Sequence, residues 1–563
     1  MLARAALLPL VALAACAGDP PPGTIGSGDD IELCVGEVEV PDEALRTLLL
    51  AVLPEPEPED TSGGDTDGEP ESVVLAEQLR KLPGLRGPML GIKDLRGLEC
   101  AQGLLSLGLS GNDIDDVTPL LDLPLLEELQ LSDNELVDLR TVGELRGLRK
   151  LVLDGNGISD IGPLGQLTGL TYVDLGRNEI ASVEPLRPLV DMIGLVLEDN
   201  QVTDIDALAP MTALFSLDVS DNEIASLAPL ADHDNLHFVD LEGNRIGTLA
   251  PLASATGMIS IQVSRNELED IEGIEGMLEL DRLSAQENRV RSTAPVAGLT
   301  LMSVLDLGKN QVDSLAGVET LVNLRRLALA DNQVAGVEAV MGLAELRELD
   351  VRNNPVTDLR PVATLPLLGA LFVGGTGAAI DLSPLAGATV LRRLVYENGV
   401  ADQLAVLGEL PMIEAVQLGD TKLSAQAVAD IGLATSLQSV HIDRTGAADI
   451  SALASLSLLE VLRAEDNAIT DLAVLASFPD LVEARLAGNP LAGLAGLETQ
   501  EFLAELDVSR TPITGLDAVV ANETFRNGDV LDVRETALDA DDCAGIAVVT
   551  GRDAIVESDL ACP

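Results

Sequence analysis

Few residues in this 563-residue chain have the type and spacing for chemistry. Of its three histidines, His233 and His237 stand four apart beside Asp232 and Asp234. Two imidazoles at that spacing converge on a metal only along a helix, and the surrounding pattern sets His237 at the start of a strand. His441 falls on an exposed strand row and has no serine or cysteine partner at the interval by which the chain repeats, so the base for a nucleophile is not expected there. Gly375-Thr376-Gly377-Ala378-Ala379 has the glycines of a phosphate loop without a strand–helix–strand unit around them, and reads as one turn. Asp65-Thr66-Asp67-Gly68-Glu69 opens like a calcium loop and lacks its length and final bidentate glutamate. The expectation is a protein with no metal, no cofactor and no enzyme activity.

The elements that position these residues are set by a repeat. Asparagines fall at Asn112, Asn134, Asn156, Asn178, Asn200, Asn222, Asn244, Asn266, Asn288, Asn310, Asn332 and Asn354, every step being 22 residues. The unit reads LxxLxLxxNxIxDIxPLxxL. Each LxLxx segment predicts a short parallel strand whose leucines fill the space between two walls of a coil. A buried leucine contributes roughly 1.5–3 kcal/mol, but only when neighbouring rungs cover it, so stability is collective. The asparagine amide is expected to satisfy backbone groups that the tight bend would orphan. Asp160-Ile161-Gly162-Pro163-Leu164 suits a capped, one-turn helical piece. Beyond Asn354 the asparagine position passes to Thr376. One extra residue near Asp381 then moves it to Gly399, with Asn398 as an alternative, and Thr421, Thr445, Asn467, Asn489, Thr511 and Thr536 follow. Upstream, Leu85 to Ile92 reads as a degenerate first rung.

This pattern resembles the 22-residue leucine-rich repeats of internalins and related bacterial proteins, over about residues 32–563. The resemblance implies an α/β solenoid: a right-handed leucine-rich-repeat coil with a parallel β-sheet on its concave face, short 3-10 or irregular segments on the convex face, and a cap at each end. It also implies protein recognition by the concave face.

The N-terminus adds a compartment. Met1 to Arg4 is a basic start, Ala5 to Ala12 an apolar core too short to span a bilayer, and Leu13-Ala14-Ala15-Cys16 a small-residue cleavage point. That sequence resembles the lipobox of bacterial lipoproteins, which implies lipidation of Cys16, and Ala17 after it implies the outer membrane in a Gram-negative cell, or the cell surface otherwise. The expected organisation is a lipoprotein signal peptide at 1–15, a Pro/Gly/Asp-rich tether at 16–31, and an N-terminal cap at 32–100 broken by an acidic insert at 54–72. Repeats follow at 101–520, then a C-terminal cap at 521–563. Val40 to Leu50 looks like the cap helix of such proteins, with Pro41 just inside its start. In an oxidising compartment the remaining cysteines pair. About twenty rungs at about 4.8 Å put about 95 Å between the two ends of the coil. A disulfide needs Cα atoms within about 7 Å, so Cys34–Cys100 and Cys543–Cys562 are expected.

The net charge of −59, from 34 basic and 93 acidic residues, opposes nucleic acid, whose phosphates require the other sign. Mean hydropathy is +0.27, yet no run of 18 apolar residues follows the N-terminus. Membrane contact is expected through the lipid alone. The residue between the two strand leucines should face outward, and that row runs through Asp174, Asp218, Asp240, Asp306 and Asp350 to Phe372, then His441, Arg463 and Arg485. Its middle reads acidic and its later part apolar, neutral or basic. Tyr172 and Phe238 sit just before the first leucine, in a chain with only 6 Phe, 2 Tyr and no Trp. These residues are the candidate contacts for a protein or peptide, cationic against the acidic middle, held by a monomeric scaffold. Alternatives are a structural envelope component without a ligand, and a polysaccharide or peptidoglycan binder.

Overall fold

The computed structural model describes residues 34–53 and 73–562. The leader 1–15, Cys16, the tether 16–31 and the acidic insert 54–72 with Asp65 to Glu69 lie outside them. Twenty-two short strands form one parallel sheet. It begins at Gly84–Arg86 and ends at Ile555–Glu557, each of which pairs on one side only. In a typical strand, Ser216–Asp218, the middle residue is buried and the outer two are half-buried. Most rungs then turn through a short 3-10 segment and return to the sheet one strand further on.

The local causes repeat with the sequence. The 3-10 segment Gly162–Gln166 carries Pro163 in its first turn, where a missing N–H costs nothing. Its first amide donates to Asp160 Oδ1 at 2.8 Å. Asp116, Asp138, Asp204, Asp270, Asp358, Asp381, Asp449 and Asp471 accept the equivalent amide in their own rungs. Between the strands and these turns lies one continuous aliphatic core of leucine, isoleucine and valine.

The asparagines bind each rung to its predecessor. Nδ2 of Asn244 donates to the carbonyls of Val219 (2.9 Å) and Leu241 (3.1 Å), and Oδ1 accepts from the Ile224 amide at 2.9 Å. All twelve asparagines from Asn112 to Asn354 donate to the carbonyl 25 residues back. All twelve accept from the amide 20 residues back.

At the irregular rung the structure departs from expectation. The extra residue is accommodated as anticipated, Ala370 pairing with Arg393, but Thr376 is exposed and does not continue the ladder. The fully buried Tyr396 does so. Its single hydroxyl proton is within donating distance of the carbonyls of Ala378 (3.2 Å) and Val400 (3.0 Å), and its oxygen accepts from the amides of Ile380 and Val400 at 3.3 Å. A phenol supplies both donor and acceptor, as the amide does elsewhere. The ladder resumes at Thr421, whose hydroxyl donates to the Tyr396 carbonyl at 2.8 Å.

The N-terminal helix is Glu43–Val52, capped by Asp42. Pro41 therefore stands before the cap rather than inside the helix, because the Asp42 carboxylate takes the Leu45 amide at 2.9 Å. The same carboxylate accepts the amides of Lys93 and Asp94, tying the helix to the first rung, while Leu45 and Leu49 close the core. Cys34 and Cys100 are bonded, with Cα atoms 5.3 Å apart. Cys543 and Cys562 are bonded across the last helix and strand at 5.4 Å. No helix among the described residues is long and apolar enough to cross a membrane.

Candidate ligand-binding face

Strand register assembles the outward row. Asp174, Val196, Asp218, Asp240 and Gln262 are successive neighbours. Tyr172, Gly194, Ser216, Phe238 and Ser260 form a parallel row two residues upstream on the same face. A third column, Phe215 and His237, lies at the bend entering the strands, and the row reading missed it. Phe215 stacks on His237 with ring centroids 4.5 Å apart and lies 5.5 Å from Phe238. The available signal was that Phe215 and Phe238, two of only eight Phe and Tyr residues, fall 23 residues apart in adjacent rungs, with His237 22 residues after Phe215.

Tyr172 leans over its neighbour: a Cβ added to Gly194 would lie 2.8 Å from the tyrosine ring. Gly194 is thus required small and is buried beneath that ring, so the open floor between Tyr172 and Phe238 is Ser216. Lys150 Nζ stands 5.8 Å from the Tyr172 centroid. The result is a bay three rungs long, with aromatic ends, a low floor, carboxylates along one side and Ile193, Phe215 and His237 along the other.

The carboxylates there are poorly compensated. Burial, reinforced by Asp154, Glu198 and Asp218, pushes Asp174 up to about 6. Burial, with Asp218, Glu242 and Glu198, pushes Asp240 up to about 7. Hydrogen bonds from the Gly176 amide to Asp174, and from Gln262 Nε2 (2.5 Å) and the Glu242 amide to Asp240, offset this only partly. Asp218 accepts from the Ser220 amide and hydroxyl at 3.0 and 2.7 Å. The acidic middle is therefore less than fully ionised at neutral pH near Asp240.

The later part of the row is not open basic surface. Asp350 is paired with Arg352 at 2.7 Å, and burial raises Asp306, which Gln286 contacts at 2.7 Å. Phe372 is flanked by the guanidinium groups of Arg352 (5.1 Å) and Arg393 (5.3 Å). Arg463 pairs with Glu483 at 2.7 Å, and Arg485 with Glu483 and Glu505 at 2.9 and 2.6 Å. The upstream row of the same strands supplies these glutamates, which neutralise the arginines.

The three histidines have structural settings. His233 is buried at a leucine position with Nε2 3.2 Å from the Leu208 carbonyl, and burial lowers its pKa. His237 Nδ1 meets the Asn235 carbonyl at 2.7 Å. His441 has a serine on its own strand rather than at the repeat interval: Ser439 Oγ lies 3.2 Å from Nε2, because residues two apart share a face. No carboxylate of the described residues hydrogen-bonds the other ring nitrogen, so the triad that activates a hydroxyl is incomplete. No group of three or more His, Cys, Asp or Glu among the described residues is arranged to hold a metal.

Residues 146–188 match the family model described as Leucine Rich repeats (2 copies). Among solved structures, an internalin (inlF) from Listeria monocytogenes shares 29% identity and a TM-score of 0.54, over 59% of this chain and 95% of that one. A TDR receptor aligns with a TM-score of 0.59 at 17% identity, over 82% and 90% of the two chains, a likeness of fold alone. No curated protein sequence matches. The fold is a leucine-rich-repeat coil.

Proposed function

We propose that this chain is a non-enzymatic, envelope-anchored scaffold that binds a protein or peptide on its sheet face, centred on the bay between Tyr172 and Phe238. The observation that carries the reading is the concentration of aromatic side chains. Tyr172, Phe215 and Phe238 gather there out of eight aromatics in the whole chain, while Tyr396, Phe478 and Phe525 are consumed by the core. Half-exposed aromatic clusters are typical anchors of interfaces. Export is supported by the two cap disulfides, which persist in oxidising compartments, and anchoring rests on Leu13 to Cys16. The internalin likeness supports a binding rather than catalytic use of the coil.

The test is affinity capture by the detergent-solubilised full-length protein, comparing wild type with Tyr172→Ala/Phe238→Ala and with Arg187→Ala, which disturbs only an exposed ion pair to Glu184. A partner lost with the aromatic pair and kept with Arg187→Ala is expected. Equal capture by all three proteins would refute the assignment.

A further inference from the structure

We infer that the bay between Tyr172 and Phe238 seats a lysine or arginine side chain carried by an extended segment of the partner. The inference rests on the binding reading above and names the chemistry of the occupant.

Ring–cation contact is already how this protein uses aromatics on its sheet face. Lys150 stands over Tyr172, and Arg352 and Arg393 flank Phe372. A cation is drawn to an aromatic face by the ring's quadrupole, and its aliphatic stem packs on apolar neighbours. The two patches differ in what is left over. Phe372 has a guanidinium on each side, and the arginines beyond it are paired. Among the described residues no lysine or arginine stacks on Phe215 or Phe238, and neither Asp174 nor Asp240 has a salt-bridge partner. The Lys150 ammonium is also engaged by Glu128 at 2.7 Å, one rung before Tyr172, so it does not reach Asp240. Rings, an apolar side and uncompensated carboxylates therefore converge on one bay that lacks only the cation.

The dimensions admit such a segment. Three rungs at about 4.8 Å separate Tyr172 from Phe238 by about 14 Å, which four or five extended residues at about 3.4 Å each would span. Alternate side chains of that segment face the sheet, and the low floor at Ser216 lets one of them enter between the Tyr172 ring, which lies over Gly194, and Phe238. Glu198 and Asp218, whose charges act on Asp174 and Asp240, add attraction from the surrounding rungs.

Fluorescence anisotropy of full-length protein tests this, with a labelled hexapeptide of alternating lysine and valine as the probe and its glutamate–valine counterpart as control. A net charge of −59 attracts any cation, so the comparison must be local. Asp174→Asn/Asp240→Asn removes two charges without changing shape, and Asp115→Asn/Glu179→Gln removes two exposed charges away from the sheet. The expected result is at least tenfold weaker lysine-peptide binding for the first pair and for Tyr172→Ala/Phe238→Ala, less than twofold change for the second, and no binding of the glutamate peptide. Equal losses from the two charge pairs would reduce the effect to diffuse attraction and overturn the inference. If partner capture still depends on the aromatic pair but not on Asp174 and Asp240, the cation assignment fails while the scaffold reading stands. Far-UV circular dichroism of each variant establishes that the coil is intact.

Discussion

Replacing Asn244 by alanine isolates what the ladder contributes. The side chain is 7% exposed. It donates to the carbonyls of Val219, Leu241 and Glu242 and accepts from the Ile224 amide. The contact to Glu242, at 3.3 Å, is the weakest. The other three each contribute about 1 kcal/mol net, and the stranded Ile224 N–H adds a desolvation cost, for a total of about 3–4 kcal/mol. Because each rung contacts only its neighbours, the loss falls on two rungs and reaches the rest through their coupling. The measurement is equilibrium urea denaturation followed by far-UV circular dichroism, with slope and midpoint both fitted. Thr376→Ala is the matched control: it removes a side chain from an exposed turn position and should change stability by less than about 0.5 kcal/mol. Asn244→Thr should recover about 1 kcal/mol, since Thr445 shows a hydroxyl donating at 2.9 Å to the carbonyl three residues back. If Asn244→Ala costs no more than Thr376→Ala, leucine packing alone sets the rungs and the ladder argument is wrong.

Tyr396→Phe keeps the ring and deletes the hydroxyl that serves Ala378, Ile380 and Val400, so it should cost about 2 kcal/mol in the same assay. Burial raises Asp240 to about 7 from 3.8. The stability it contributes is therefore complete below pH 4 and lost as pH rises through 7; Asp240→Asn should raise the urea midpoint at pH 8 and leave it unchanged below pH 4. For the same reason lysine-peptide affinity should fall between pH 8 and pH 5.5 as Asp240 and then Asp174 take up protons, a trend that calorimetry would detect as proton release on binding at pH 7. Metabolic labelling with a palmitate analogue should tag the wild type and not Cys16→Ala; labelling of both would remove the anchor from the proposal.

The sequence carried the rungs because a coil repeats its constraints. The same carbonyls and amides are orphaned every 22 residues, so the same amide returns every 22 residues to meet them. Tyr396 escaped for the complementary reason: it reaches the turn from the far end of its strand, and a role filled once leaves no period. Phe215 and His237 were overlooked because strand alternation assigns the column before the strand to the interior, whereas the bend leaves both half-exposed. The neutralised arginines were legible in principle. Arg463 with Glu483 and Arg485 with Glu505 both stand 20 residues apart, the offset that joins one row to the next rung's upstream row. The raised aspartates could not be read from spacing, since their shift comes from half-burial among neighbouring strands.

The two stretches of the sheet face differ in how their charge is balanced, and the difference bears on function. From Asp350 to Glu505 the rows set arginine against carboxylate. Around Asp174 and Asp240 they set carboxylates against aromatic rings, and the half-buried negative charge is met by neutral amide donors rather than by a cation. In a cooperative globule such a cost would be spread over the whole core, but in a coil it falls on the rungs that carry it. Those rungs keep their full complement of buried leucines and ladder asparagines, so the strain is electrostatic and confined to the surface. A bound cation would relieve it where it arises, and only ligand-bound protein would recover that stability. Amide exchange should therefore slow on peptide binding within rungs 172–242 and remain unchanged near Arg463; protection spread evenly along the coil would argue that the charge imbalance is incidental.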